Sequence, residues 1–250
     1  RNKIRHEVIP VLKQLNPNLE HTMQQTAAKI TGAEIIVRDY VQNIREQTLR
    51  SENGTTYLNI AALPDTAALP LVLFELLQPY NFTFEVTQSI IPALEGESGK
   101  TFESPTHTLV KDRSQLVITP KDMVAFGSYE ILASQTECLT PELRLSLSSL
   151  SALNYKINPN KKVAALDAGL LQFPLKVRTW KEGDWFVPLG MNGKKKISDF
   201  LIDEKIPVNL KPKVKVLTSG GSIVWVIGYR LDNRFKVTAK TEQVLEIRID

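Results

Sequence analysis

The spacing of the apolar residues changes near residue 100, and that change does most to limit the folds open to this chain. Before it, apolar positions recur at helical intervals: Ile4, Val8, Val11, Leu12 and Leu15, then Ile30, Ile35, Val37, Val41, Ile44 and Leu49. Pro10 and Pro17 interrupt the first series, which predicts a break near Asn16-Pro17. Ser51-Glu52-Asn53-Gly54 is expected to end the long helix, with Gly54 left-handed. Tyr57–Ile60 reads as a short strand, Leu71–Tyr80 as a buried helix that stops near Pro79, and Glu85–Leu94 as a further helix. After residue 100 the pattern alternates. Thr108–Val110 and Leu116–Thr119 flank Lys111-Asp112-Arg113-Ser114 as a hairpin. Val163–Leu166, Leu175–Thr179, Val214–Leu217, a buried Ile223–Arg230 and an edge Val244–Ile249 follow as strands, with one helix between them, N-capped by Ser198. The predicted class is α+β: an N-terminal all-α helical domain over 1–100, a β-rich linking region over 101–168, and a β-rich α/β C-terminal domain over 169–250.

Composition supports a packed protein, with 42% hydrophobic and 23% charged residues. No apolar run approaches the ~20 residues of a membrane helix, so no membrane role is expected. The one cysteine, Cys138, rules out an intrachain disulfide and reads as a small buried hydrophobe; a reducing, cytoplasmic setting is expected. The three histidines, His6, His21 and His107, lack metal-ligand spacing, and no metal site is predicted.

The net charge is only +4, but it is unevenly spread. Between Lys176 and Lys215 ten Lys or Arg face five acids, a local excess of +5. The centre of this region is Lys181–Pro207. Trp185 and Phe186 follow the turn pair Gly183-Asp184, and Lys194, Lys195 and Lys196 stand directly before the Ser198 helix. Lysines at a helix N-terminus form a phosphate site, and a nearby Trp185 can stack a base. The other reading is a solvated basic turn above an aromatic core plug. Lys205 lies at the far end of the same helix. Asp203-Glu204 are expected to pair with nearby lysines. Arg230, Arg234 and Lys236 follow the apolar strand and read either as a phosphate contact or, through Asp232, as a fold-locking salt bridge. Lys100, Lys111 and Arg113 extend a possible RNA path along the hairpin.

The stretch Lys181–Pro207, with its Pro188-Leu189-Gly190-Met191, Ser198-Asp199-Phe200 and Lys205-Ile206-Pro207 elements, resembles the C-terminal domain of the tRNA(Ile)-lysidine synthases. The likeness runs on through Trp225-Val226-Ile227-Gly228-Tyr229-Arg230-Leu231-Asp232 and Arg234-Phe235-Lys236-Val237-Thr238. Arg1-Asn2-Lys3-Ile4-Arg5-His6 resembles the segment that closes that family's catalytic domain, and Ser98-Gly99-Lys100 the link after its helical substrate-binding domain. Residues 120–160 carry no such likeness.

The resemblance implies that 1–100 is the substrate-binding domain, with 1–15 the tail of a catalytic domain outside this chain, and that 169–250 binds tRNA. It implies a ligase that uses ATP and Mg²⁺, bound upstream, to join lysine to carbon 2 of the wobble cytidine in the CAU anticodon of tRNA(Ile). Arg1 and Arg5 would border that active site or merely pack beside it; no catalytic residue is expected within these residues. Ser219-Gly220-Gly221-Ser222 imitates the start of the family's Ser-Gly-Gly-x-Asp-Ser phosphate loop, but Ile223 and Val224 stand where Asp and Ser belong, and a hairpin turn explains it better. The rival readings are a stand-alone, non-catalytic RNA- or protein-binding adaptor and a dimerisation module; a homodimer fits any of the three.

Overall fold

The computed structural model describes residues 2–52, 54–121 and 126–250. The chain forms two compact units that meet in sequence between Ile118 and Thr119. No helix among the described residues is long and apolar enough to cross a membrane.

The first unit opens with a π-helical turn over Ile4–Val8, α1 (Ile9–Leu15) and α2 (Leu19–Thr48). The break falls at Asn16-Pro17 as the prolines predict, with Asn16 extended. Val37, Val41, Ile44 and Thr48, spaced by four, three and four residues, form the α2 stripe that meets the core. The helix does not run on to Ser51. Leu49–Glu52 is a strand, β1, and forms a hairpin with β2 (Thr55–Asn59) in the register Glu52↔Thr55. Gly54, at φ +73°, serves this two-residue turn rather than a helix end. The β-branched pair Thr55-Thr56 and Tyr57 favour the strand.

Helices α3 (Leu69–Leu77) and α4 (Phe84–Leu94) follow. The Thr83 hydroxyl caps α4 by accepting the Val86 N–H. Strands β3 (Thr101–Glu103), β4 (His107–Asp112) and β5 (Gln115–Pro120) complete a five-stranded sheet in the order β1-β2-β5-β4-β3. Leu58, Leu109, Leu116 and Ile118 of this sheet share one core with Leu73, Leu76 and Leu77 of α3 and Ile90 of α4. Strands from both sides of residue 100 therefore hydrogen-bond in one sheet, and the first unit is mixed rather than all-α.

The second unit holds β6 (Tyr129–Ile131), β7 (Glu137–Leu139), β8 (Arg144–Ser151), β9 (Val163–Asp167), β10 (Leu175–Thr179), β11 (Trp185–Phe186), β12 (Lys195–Lys196), α5 (Ile197–Asp203), β13 (Lys215–Ser219), β14 (Ser222–Val226), β15 (Arg230–Leu231) and β16 (Gln243–Ile249). One sheet runs β15-β14-β13-β10-β6 and a second runs β7-β8-β16-β9. Their inner faces share a core that includes Leu145, Leu166, Val177, Leu217, Trp225 and Ile247. The stretch 101–168 is thus divided between the two units. On the outer face of the first sheet, Val216, Ile223 and Val226 pack under Phe186, Ile197, Phe200 and Leu201. This second small core seats α5 and the β11–β12 ribbon.

Strand β16 was expected at an edge but lies between β8 and β9. Val244, Leu245, Glu246 and Ile247 are all buried, so both faces of β16 are covered as well as both edges. The apolar run Ile223–Arg230 also divides: β14 stops at Val226, and Gly228, at φ +79°, turns the chain into β15.

Glu246, buried within β16, accepts the Tyr155 hydroxyl at 2.6 Å and Arg248 Nε at 2.7 Å. Burial pushes its carboxyl up, but those hydrogen bonds outweigh burial and leave its pKa below the ordinary carboxylate value. Burial, reinforced by Glu246, pushes the Tyr155 hydroxyl well above its usual range. A group with a lowered folded pKa stabilises above its unfolded value, about 4.3 for Glu, and that gain is lost as pH falls through the folded value. Tyr155→Phe should therefore cost about 2 kcal/mol at neutral pH, with the gap to wild type closing below about pH 4. Urea titrations at both pH values check this; a gap unchanged at low pH would contradict it.

Candidate nucleic-acid interface

The site is built around one carboxylate. Strand β14 leads through Gly228 to β15 and then to Asp232, which is fully buried. Its oxygens accept the Val187 N–H at 2.9 Å, the Arg234 N–H at 2.8 Å, Arg234 Nε at 3.0 Å and Arg234 Nη2 at 2.8 Å. A carboxylate can lie out of water only when its lone pairs are satisfied and its charge is matched, and these donors do both. The Asp232 side chain also caps the 3₁₀ turn Asn233–Phe235. Hydrogen bonding to Asp232 raises the Arg234 pKa further above its ordinary value.

Held in this way, the Arg234 guanidinium lies 4.7 Å from the centre of the Trp185 ring, and Lys194 Nζ lies 4.0 Å from the same centre. Both are cation–π distances. Strand β11 pairs with β12 so that Trp185 stands opposite Lys196 and Phe186 opposite Lys195. A second clamp fixes the start of this ribbon. Arg178 grips Asp184 in a two-pronged pair at 2.7 and 3.0 Å, with both side chains less than 20% exposed. Asp184 also accepts the Lys181 N–H, and its carbonyl accepts the Ile197 N–H.

The expected residues separate in this geometry. Trp185, Lys194, Lys196 and Arg234 gather on one platform, with Lys194 and Lys196 exposed. Lys195 is half-buried and bonded to Asp203. Arg230 lies 3.7 Å from Glu204 and 3.5 Å from the Leu189 carbonyl, and Glu204 also pairs with Lys161. Asp203 thus pairs with a nearby lysine, as expected, whereas Glu204, the residue after α5, meets Lys161 and Arg230, which are distant in sequence. Lys236 is exposed and bridges to Leu166 of β9. Lys205, at φ +60°, is the left-handed residue that ends α5; its N–H goes to Ile202 and that of Ile206 to Leu201, a Schellman arrangement. Its backbone is structural and its side chain exposed.

Several expectations are corrected. Ser198 is not the cap: α5 starts at Ile197 after Lys196, and the Ser198 hydroxyl bonds Asp199. Lys195 and Lys196 form β12, and Lys196 directly precedes α5, a helix of seven residues. Trp185 has two cations at cation–π distance from its ring, Lys194 and Arg234. Arg234 is the fold-locking partner of Asp232 as well as a surface cation. Lys111 is buried, its ammonium donating to the Gly96 carbonyl, and leaves any RNA path. Arg5 is exposed on the π-helical turn, while Arg1 lies outside the described residues.

Ser219 pairs with Ser222 across the β13–β14 turn, where Gly220 and Gly221 have φ of +53° and +82°. This is a hairpin tip and does not suit a phosphate loop between strand and helix. Among the described residues, no three His, Cys, Asp or Glu side chains are placed to hold a metal ion. The Arg178–Asp184 clamp escaped sequence reasoning because nothing in six residues of separation marks an ion pair.

Residues 51–121 match the family model described as the TilS substrate binding domain, and residues 175–249 match the one described as the TilS substrate C-terminal domain. The tRNA(Ile)-lysidine synthase of Parabacteroides distasonis is 40% identical over 98% of this chain and 55% of its own length. That of Bacteroides thetaiotaomicron is 32% identical over 100% of this chain and 55% of its own. The chain belongs to the tRNA(Ile)-lysidine synthase family. It spans about half the length of these curated relatives. A crystal structure described as that of a TILS C-terminal domain aligns with 50% of this chain and 97% of its own, at 20% identity and a TM-score of 0.42.

If Asp232 and Arg234 act as a unit in this family member, each single change should be costly: Asp232→Asn or Arg234→Ala should each lose about 3 kcal/mol. The double variant should lose less than the sum by at least about 1 kcal/mol. Chemical denaturation of the four proteins checks this, and strict additivity would contradict the coupling.

Proposed function

We propose that this chain is the tRNA-holding portion of a tRNA(Ile)-lysidine synthase, with Lys194 and Lys196 on the Trp185 platform meeting the RNA backbone. The observation that carries the reading is a pair of exposed ammonium groups on a rigid support, within a sequence 40% identical to a synthase of that name. Phosphate contacts supply much of the affinity for RNA, and each contact formed releases counterions. A cation already held in place by a ring and a ribbon loses less side-chain freedom on binding than one at the end of a free chain.

In the whole enzyme the proposed reaction uses ATP and Mg²⁺ to adenylate the wobble cytidine of a CAU anticodon at its carbon 2 oxygen, releasing pyrophosphate, and the amine of lysine then displaces AMP from carbon 2. We place that nucleotide chemistry in sequence outside these 250 residues, since the Ser219–Ser222 turn does not fit it. The work left to this chain is positional: keeping the tRNA fixed while one base is modified, in the cytoplasm where tRNA is found.

The test is the salt dependence of tRNA binding. Lys194→Ala with Lys196→Ala should weaken binding and lower the slope of log K against log salt by about two units, roughly one for each lost phosphate contact. Lys195→Ala, whose ammonium is held by Asp203, should change the slope by much less. An unchanged slope in the first variant would make those lysines a solvated turn.

A further inference from the structure

A groove on the second unit offers a different kind of surface. Across β10 and β13 the register pairs Lys176 with Thr218 and Arg178 with Val216, and across β13 and β14 it pairs Thr218 with Ile223. These side chains therefore share the outer face of the sheet. The small core of Phe186, Ile197 and Phe200 covers Val216 and Ile223. Beside it lies a groove of about 410 Å³, lined by Phe173, Pro174, Lys176, Arg178, Thr218 and the Gly220–Gly221 tip. That size lies within the usual range of small-ligand sites, roughly 300–1,000 Å³.

The lining combines three properties. Phe173 is 39% exposed, a large aromatic surface open to solvent. Lys176 pairs with a surface partner, Glu130 at 3.0 Å, with both side chains about half exposed. Such a pair is worth about 0–1 kcal/mol and exchanges readily for a phosphate. Arg178, by contrast, is locked on Asp184 and stays in place as a wall. The third property is rigidity. The Ser219 hydroxyl donates to the Gln172 carbonyl and accepts the Gln172 N–H, at 3.1 and 2.7 Å, pinning the hairpin to the residue before Phe173. A Cβ on Gly220 would strike the Gln172 side chain at 2.3 Å, whereas one on Gly221 would meet nothing within 4 Å. The tip is thus anchored on one side and open on the other, so a flat ring can approach its backbone closely.

We propose that this groove takes one unpaired nucleotide of the bound RNA, its base against Phe173 and its phosphate at Lys176. An aromatic face beside a cation suits an unstacked base, while a duplex hides its base faces. The inference rests on the RNA-binding reading above but concerns a surface separate from the Trp185 platform.

The experiment uses the 250-residue chain with three probes: a single-stranded RNA hexanucleotide, a blunt RNA duplex and AMP. Phe173→Leu keeps an apolar side chain and removes the ring; it should weaken the hexanucleotide about tenfold and leave the duplex unchanged. Lys176→Gln should lower the hexanucleotide salt slope by about 0.7. Because Lys176 is exposed, this variant remains a test even if Phe173→Leu disturbs folding. Hexanucleotide binding unaffected by both changes, with the Lys194/Lys196 variant still weakening tRNA, would overturn the groove and leave the RNA reading standing. No effect from any of the variants would overturn both. AMP binding as tightly as the hexanucleotide, with the same sensitivity to Phe173→Leu, would identify a free-nucleotide site and overturn the proposal as stated.

Discussion

The carboxylate of Asp232 lies fully out of water, and the arrangement of the basic surface follows from how its charge is met. It takes one backbone donor from Val187, at the end of the Trp185-Phe186 strand, and the rest from Arg234. Two segments 45 residues apart in sequence are joined at that point. Because the guanidinium must reach Asp232, it cannot roam, and its outer face comes to lie by Trp185. Lys194 approaches the same ring. A buried ion pair is weak evidence for net stability, since desolvation offsets much of the attraction. Its contribution here is geometric: it turns flexible cations into a surface of defined shape.

Sequence charge alone overstated that surface. Of the ten cations between Lys176 and Lys215, Lys176, Arg178, Lys195 and Lys215 pair with Glu130, Asp184, Asp203 and Glu142. Two of these acids, Glu130 and Glu142, lie outside the counted stretch, so the local excess is partly answered from elsewhere in the same unit. The exposed Lys181, Lys194, Lys196 and Lys205 remain on the surface. Of these, Lys194 is held at a ring, and Lys196 stands on a ribbon opposite it.

What could be read in advance follows physical range. The Asn16-Pro17 break and α4 depend on neighbours a few residues away and were legible, as were Val37, Val41 and Ile44 of the α2 stripe, whereas Ile30 and Ile35, read as apolar positions of the same helix, lie exposed. The Ser219–Ser222 turn was legible too, where paired glycines between two apolar runs leave little choice. The β1 strand was missed because Leu49–Glu52 continues a helical pattern and becomes a strand only by pairing with Thr55–Leu58. The central place of β16 was missed for a similar reason: it pairs on its two edges with β8 and β9, which are distant in sequence. At the site, the residue types were visible but their partners were not. Asp232 was recognisable as a rival partner for Arg234 because the two lie two positions apart, and Asp203 as a partner for a nearby lysine, whereas the grip of Arg178 on Asp184 and the choice of Lys195 for Asp203 needed the fold.

The central claim is that Lys194 and Lys196 face RNA while Lys195 serves the protein. Acetylation of lysines with and without saturating tRNA, read by mass spectrometry, tests it directly. Lys194 and Lys196 should react readily in the free protein and be protected by tRNA, with Lys195 slow to react in both states. Equal reactivity of Lys194 and Lys196 with and without tRNA would contradict the account.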